Sequence, residues 1–353
     1  MKVLHLPSNN SSQTSATIRA LRDIGVDARG LVIAGHPIHD SRGLEVLPDV
    51  AAPMKSLTGV LRRIPIWRSV LAAIKWADVV HWHFSSRVIP KNVDLMYTKF
   101  LNKARIVEFC GSDIRIPEIA SADNSYIARM YKEHPEPWMS DNHSRQVQLR
   151  FAKFGFECLF RHIELESYIQ KDLFPKPYRT EARLILSEFE QSYPDPCKKR
   201  PLIVHAPSKK WVKGTDAVLR AVEELRTKYE FDFQLIHSVE RPKALEIIRN
   251  CDIMLDQFVI GEHGVAAIEA MAFGKPTICY IKPSLVQKFP DLPIVNANQE
   301  NLAEVISSLL KDGQRRYEIG RLSRTYVEKY HDAHKIARKL VAMYEELLAK
   351  VQK

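Results

Sequence analysis

The stretch CDIMLDQFVIGEHGVAAIEAMAFGKPTICYIK, residues 251–282, constrains the fold of this chain more than any other segment. An apolar run from Ile253 to Ile260 breaks at Gly261 and Gly264 and helix formers fill 265–273. Gly274-Lys275-Pro276 then stops the helix ahead of a second apolar run from Thr277 to Ile281. Strand, turn, short helix, turn and strand make a parallel βαβ unit whose helix starts at Gly264. A helix start exposes unpaired N–H groups and the positive end of a dipole. Gly264, Val265 and Ala266 are thereby placed to cradle a phosphate, with no side chain at 264 to block its approach. Glu269, just over one turn further in, can accept hydrogen bonds from a pair of sugar hydroxyls beside that phosphate. The plainer alternative is a buried crossover helix whose alanines pack closely on a sheet, with Glu269 in a structural ion pair.

This segment resembles the nucleotide-sugar site of family 4 glycosyltransferases, retaining enzymes of the GT-B fold. In that family a loop E-G-F-G-L-x-x-x-E-A-M-A-x-G-x-P binds the donor. Gly264, Glu269-Ala270-Met271-Ala272, Gly274 and Pro276 stand in register with it. The first glutamate of the loop is replaced by Gly261, and the nearest carboxylate, Glu262, comes one position late. The resemblance implies an α/β chain of two Rossmann-like domains facing across a cleft. It also implies a nucleoside-diphosphate sugar as donor substrate, no cofactor, and a catalytic role for Glu262 if that carboxylate stands in for the missing one.

A second constellation is HAPSKKWVKGTDAVLRAVEEL, residues 205–225, where a strand ends, a basic loop follows and a helix begins near Thr215. In GT-B transferases this loop aims a basic pair at the donor diphosphate. Lys213 occupies the family's Lys-Gly position, and Lys210, with Lys209 beside it, stands for the family's arginine. A departing nucleoside diphosphate gains negative charge as the glycosidic bond breaks, so fixed ammonium groups favour the transition state over the ground state. Without the resemblance, three lysines so close together read as a solvated loop.

The third candidate, IVEFCGSDIR at 106–115, resembles the family's first-domain segment F-H-G-x-D, where a histidine faces the transferred sugar. Cys110 replaces that histidine here, followed by Gly111 and Asp113 as acceptor-side or sugar-facing residues. A thiol cannot reproduce the proton or hydrogen-bond pattern of an imidazole. His81 and His83 end the neighbouring strand, read as pointing one to each side of the sheet, with His83 a further sugar-facing candidate. They are not read as a metal pair, because no third ligand is at hand and Asp-x-Asp does not occur.

At 353 residues the chain exceeds a usual single core. Short strand-like runs alternate with helical patterns from Lys2 onward, and a proline-rich, charged stretch follows Phe174. The expected division is an acceptor-side domain over 1–176 and a donor domain over 177–335. A helical pattern covers 326–348, and the resemblance implies a tail helix, 336–353, that packs back on the first domain. Five scattered cysteines suggest neither disulfides nor zinc, and the strand-like start lacks a signal peptide, so a cytoplasmic protein is expected. Gly-rich dinucleotide fingerprints and Walker loops are absent from the sequence, against a dehydrogenase or NTPase.

Net charge of +10 favours anionic partners. Between Asp49 and Asp78 the chain has no acidic residue, yet it carries Lys55, Arg62, Arg63, Arg68 and Lys75 among apolar residues, with Pro65 expected to split two helices. Residues 55–76 are therefore read either as peripheral contact with an anionic membrane, at its inner face, or as a core helix packed through Val60, Ile64, Trp67, Leu71 and Ile74. Nucleic acid is not expected. The resemblance as a whole implies a retaining, hexosyltransferase-like enzyme acting on a glycan or lipid-linked acceptor. The alternative is a catalytically silent GT-B paralogue that serves as partner of another transferase.

Overall fold

The computed structural model describes residues 1–36, 38–50, 56–136, 140–237 and 239–352, and the chain divides into two compact units. Unit 1 comprises Met1–Arg115, Asn142–Arg183 and Ala333–Lys353; unit 2 comprises Ile116–Asp141 and Leu184–Asp332. In chain order, unit 1 begins with β1 (Lys2–Leu6), α1 (Gln13–Asp23), β2 (Asp27–Ile33), β3 (Leu44–Leu47), α2 (Leu57–Trp76), β4 (Val79–His83), α3 (Val93–Phe100) and β5 (Ala104–Phe109). Helices α4 (Pro117–Asp123) and α5 (Ser125–Glu133) belong to unit 2, after which α6 (Asp141–Lys153), β6 (Glu157–Phe160) and β7 (Tyr178–Arg179) resume unit 1. Unit 2 continues with β8 (Leu202–His205), α7 (Lys210–Lys213), α8 (Thr215–Arg226), β9 (Asp232–Leu235), α9 (Arg241–Asn250), β10 (Ile253–Leu255), α10 (Val265–Ala272), β11 (Thr277–Cys279) and α11 (Pro283–Val286). It ends with β12 (Val295–Asn296), α12 (Leu302–Lys311) and α13 (Gly313–Tyr330), and α14 (Ala333–Val351) closes unit 1.

Each unit is an all-parallel sheet between helices, ordered β3-β2-β1-β4-β5-β6-β7 in unit 1 and β12-β11-β10-β8-β9 in unit 2. Their central strands are largely apolar, as burial on both faces demands, and Val3, Leu4, Val79, Val80, Ile106 and Val107 have no exposed surface, while His5, His81, His83, Glu108 and His205 are buried polar exceptions. Each such side chain contributes about 1.5–3 kcal/mol on burial. Both strand orders reverse direction once, between β1 and β4 in unit 1 and between β8 and β10 in unit 2. Those reversals are where open α/β sheets hold ligands, just beyond the carboxyl ends of the strands.

The structure departs from the sequence reading in several places. Residues 116–141, expected in the first domain, cluster with unit 2, and the chain returns to unit 1 at Ala333, three residues ahead of the expected start of the tail. The helical pattern over 326–348 is two helices, α13 and α14. The break forms because the His331 carbonyl accepts the Leu184 N–H at 2.9 Å and Asp332 bridges Leu184. β10 stops at Leu255, well short of Ile260. Pro65 does not divide α2, which runs through it. The lost N–H would have bonded the carbonyl of Leu61, a solvent-exposed residue, while Ile66, Val70 and Ile74 hold the following turns on the sheet. The buried stripe of α2 is therefore Gly59, Ile66, Val70 and Ile74, not the expected one through Val60, Ile64, Trp67 and Leu71. Lys55 lies outside the described residues. Among the described residues no helix is long and apolar enough to cross a membrane.

Candidate functional site

The reversal point of unit 2 brings the two sequence-predicted donor segments together. The carboxyl end of β8 leads to the basic loop and α7, and that of β10 leads to the loop that opens α10. His205, the last residue of β8, ties these strands to α8: its ring nitrogens lie 2.9 Å from the Leu255 carbonyl and 3.0 Å from Thr215 Oγ1. Burial pushes its pKa down to about 4, so the ring is a neutral brace. Gly214 ends α7 in the left-handed region at φ +73°, where a Cβ would stand 3.1 Å from Phe258 Cβ. Phe258 N–H donates to the Lys213 carbonyl at 3.1 Å, locking the two loops to each other.

Lys213 is turned inward, with its ammonium 2.8 Å from Asp256 Oδ1. The other oxygen of Asp256 accepts the Gly264 N–H at 2.6 Å. The first amide assigned to phosphate is therefore engaged by a carboxylate of the chain itself, and Val265 and Ala266 follow as the first helical residues. Burial alone would raise the Asp256 pKa, but the Lys213 ammonium and the Gly264 N–H hold it below the usual carboxylate range. A Cβ on Gly264 would come within 2.7 Å of Lys213 Nζ and 3.3 Å of both Asp256 oxygens, so any side chain at 264 would displace the Lys213–Asp256 pair.

Lys209 and Lys210 are exposed at the start of α7, Lys209 with its ammonium 5.5 Å from the centre of the Trp211 ring. Glu269 is buried on α10 and meets Arg241, the first residue of α9, at 2.6 Å. Glu262 is buried too, its carbonyl accepting from Gln257 Nε2. Gly261, where the family has glutamate, has φ +88°, and a Cβ there would lie 2.9 Å from Lys282 Cβ and 3.2 Å from Asn124 Nδ2. The glycine is required by its backbone and by its neighbours. Asn124 arrives from the stretch between α4 and α5, donates to the carbonyls of Val259 (2.7 Å) and Ile260 (3.1 Å), and caps α5 with its oxygen. That clamp is one reason 116–141 belongs to unit 2.

The reversal point of unit 1 holds a different cluster. His81 and His83 share one face of β4, because residues two apart on a strand point the same way, and their rings stack at 4.4 Å. The expected opposite facing is thus corrected, and so is the expected lack of a third imidazole: His5 Nδ1 lies 2.8 Å from His83 Nε2. Tyr344 of α14 reaches His81 Nδ1 at 2.6 Å and His5 Nε2 at 3.3 Å. On the other side Glu108 Oε2 lies 3.3 Å from His81 and 3.6 Å from His83, while its second oxygen meets Arg183, with Arg161 at 3.5 Å. Burial drives the His5 and His83 pKa values well below the usual range, and that of His81 down despite Glu108. A divalent ion here would add its charge to two guanidiniums balanced by one carboxylate, so these residues fit a neutral hydrogen-bonded core better than a metal centre.

Cys110, Gly111 and Asp113 form the turn after β5. Asp113 is buried and points back, accepting the N–H groups of Gly111 (2.8 Å) and Cys110 (3.1 Å). Burial raises its pKa to about 6 and that of the Cys110 thiol to about 12. Cys110 is thus an unreactive thiol and Asp113 a brace for the turn.

Sequence reasoning missed Asp256, Arg241, His5, Glu108, Arg183 and Tyr344. Glu108 and Asp256 left a signal, a carboxylate inside or just past an apolar strand, which must find a partner when buried. Arg183 and Arg241 left none, since their partners are distant in sequence.

No protein-family model matches this chain, and no curated protein sequence does. Solved structures do. The sucrose-phosphate synthase of Thermosynechococcus elongatus is similar over 99% of this chain and 100% of its own, at TM-score 0.65 and 13% identity. WaaG, a glycosyltransferase involved in lipopolysaccharide biosynthesis, is similar over 98% and 99%, at TM-score 0.58 and 12% identity. An α-glucosyltransferase in complex with UDP-glucose and DNA containing an abasic site is similar over 98% and 99%, at TM-score 0.63 and 9% identity. Two parallel Rossmann-like sheets, matched along essentially the whole chain, show that this protein has the GT-B fold of these glycosyltransferases.

Proposed function

We propose that this protein transfers a sugar from a nucleoside-diphosphate sugar to an acceptor, with retention of configuration. The observation that carries this reading is the meeting of Lys213 with the start of α10 at the reversal point of unit 2. Lys213, with Lys210 and Lys209 on the same loop and the amides of Val265 and Ala266, would take the diphosphate. Glu269 would take the ribose, with Arg241 orienting it. Such an arrangement stabilises charge on the leaving group by ammonium groups and a helix start, and so needs no divalent ion or cofactor. The solved complex of an α-glucosyltransferase with UDP-glucose is consistent with a donor of this class.

For the acceptor we infer a glycan or a lipid-linked sugar, presented at an anionic membrane. Leu57, Leu61 and Ile64 form an exposed stripe on α2, and Val93, Met96 and Phe100 form another on α3, which packs against α2. Arg62, Arg68, Lys75, Lys91 and Lys99 are exposed on or beside these helices, and Asp94, the sole acid within them, is buried. An apolar face with cations and no exposed carboxylate suits an anionic lipid surface. The alternative of a silent GT-B paralogue draws on Gly261 and Cys110, which leave no carboxylate and no imidazole at the family's positions.

The direct test is thermal shift with UDP-, GDP- and ADP-sugars in excess chelator. A ligand at about a hundred times its Kd adds about 2.7 kcal/mol of stability. A rise with one nucleotide class supports the reading. No rise with any of them, together with co-purification of an active transferase, supports the silent partner.

A further inference from the structure

The Lys213 ammonium sits where a cation is ordinarily unfavourable. Helix α10 directs its positive end at Gly264, and the ammonium would lie only 2.7 Å from a Cβ built there. Ammonium and helix start would repel at this range, the more so because Lys213 is nearly buried and poorly screened. Asp256 removes the conflict. One of its oxygens accepts a hydrogen bond from the Lys213 ammonium at 2.8 Å and the other from the Gly264 N–H at 2.6 Å, so a single carboxylate ties the basic loop after β8 to the helix after β10. Cys279 Sγ, a buried thiol, lies 3.7 Å from the second oxygen, and His263 stands near enough to favour the ionised carboxylate as well.

We infer that Asp256 is a positioning residue, holding Lys213 against the start of α10 so that the remaining N–H groups of the ammonium face the leaving diphosphate. This rests on the nucleotide-sugar reading above. An ammonium has three donors, of which Asp256 uses one. The Lys213–Asp256 pair is close to neutral overall, so it adds little to binding a donor whose charge is already spread over its phosphates. As the glycosidic bond breaks, charge concentrates on the leaving oxygen, and an ammonium fixed within reach then stabilises the transition state selectively. An unfixed lysine would have to be ordered at that moment, so Asp256 should act on kcat far more than on KM.

The test compares Asp256→Asn, Lys213→Ala and the double variant, all folded by thermal melt, in hydrolysis or transfer assays with UDP-glucose, GDP-mannose and ADP-glucose. For whichever donor the wild type uses, Asp256→Asn should lower kcat about tenfold or more with KM changed less than about threefold. Added to Lys213→Ala, it should cost nothing further, because Asp256 acts through the lysine. Should Asp256→Asn not fold, Asp256→Glu keeps the charge but shifts the carboxylate by a methylene and should show the same loss in kcat. Losses that multiply in the double variant, a change in KM alone, or full activity of Asp256→Glu where Asp256→Asn does not fold would overturn the inference while leaving the donor reading intact. A wild type that neither binds nor turns over any donor would overturn both.

Discussion

Glu269 on α10 and Arg241 at the start of α9 meet at 2.6 Å, a contact between two crossover helices of the same sheet. Either the pair exists to hold the helices together, or the arginine orients a carboxylate for two sugar hydroxyls. Glu269→Gln separates these roles, because it keeps the shape and loses the charge. Affinity for UDP, GDP or ADP, whichever binds, should fall about five- to tenfold by calorimetry, since charge-assisted bonds are about twice as strong as neutral ones. Equal affinity in both proteins would leave Glu269 a structural partner of Arg241 and nothing more.

Gly261 gives a prediction opposite to what the resemblance alone would suggest. Restoring the family's glutamate by Gly261→Glu forces a side chain into the left-handed region at φ +88° and against Lys282 Cβ at 2.9 Å. Stability should drop by about 1–3 kcal/mol, with no gain in turnover. Thermal melts and donor turnover of the variant decide it; a stable variant with faster turnover would mean that the loop adapts and that this reading of Gly261 is wrong.

How far the sequence carries follows from these same residues. The parallel βαβ unit at 251–282 was legible because Gly264, Gly274 and Pro276 punctuate apolar runs, and the lysine loop because Lys213-Gly214 ends a strand-to-helix turn. What those side chains touch was not legible. Asp256 engages Lys213 from 43 positions away, Arg241 engages Glu269 from 28, and Tyr344 engages His81 from 263. No local period records such pairings. The continuity of α2 through Pro65 was hidden for another reason: a single hydrogen bond lost to Leu61, an exposed residue, is outweighed by burial of the residues that follow.

The histidine ring makes stability depend on pH, and the sign is fixed. His5, His81 and His83 have folded pKa values below the unfolded 6.5, so the unfolded chain takes up protons first as pH falls. Their contribution is complete above that value and declines as pH drops through it. Glu108, also depressed when folded, is lost later, below the unfolded carboxylate range. Melting temperature should be flat from about pH 8 to 7 and fall steadily below about 6.5. Tyr344→Phe, which strands His81 Nδ1, should lower stability by about 1–3 kcal/mol at neutral pH. A melting temperature unmoved between pH 7 and 5 would contradict the neutral ring.

If the faces of α2 and α3 meet lipid, the protein should sediment with vesicles of phosphatidylglycerol and phosphatidylcholine but not with phosphatidylcholine alone. Each cation near the leaflet adds about 1 kcal/mol. Arg62→Glu with Arg68→Glu should weaken binding about tenfold or more and reduce its salt dependence, since Lys75, Lys91 and Lys99 remain, and Leu61→Ser with Phe100→Ser should weaken it at every salt concentration. Vesicle binding equal to wild type in both double variants would assign the surface to another partner.

The central claim is that Lys213 and the start of α10 stabilise the departing diphosphate. Its most direct test is the turnover of Lys213→Ala at saturating donor, in excess chelator, with folding checked by thermal melt. The account predicts a well-folded protein whose kcat is lower by about a hundredfold, since the lost charge acts mainly on the transition state, alongside a wild type that chelation leaves active. Unchanged kcat in the variant, or a wild type that chelation silences and added magnesium or manganese restores, would contradict it.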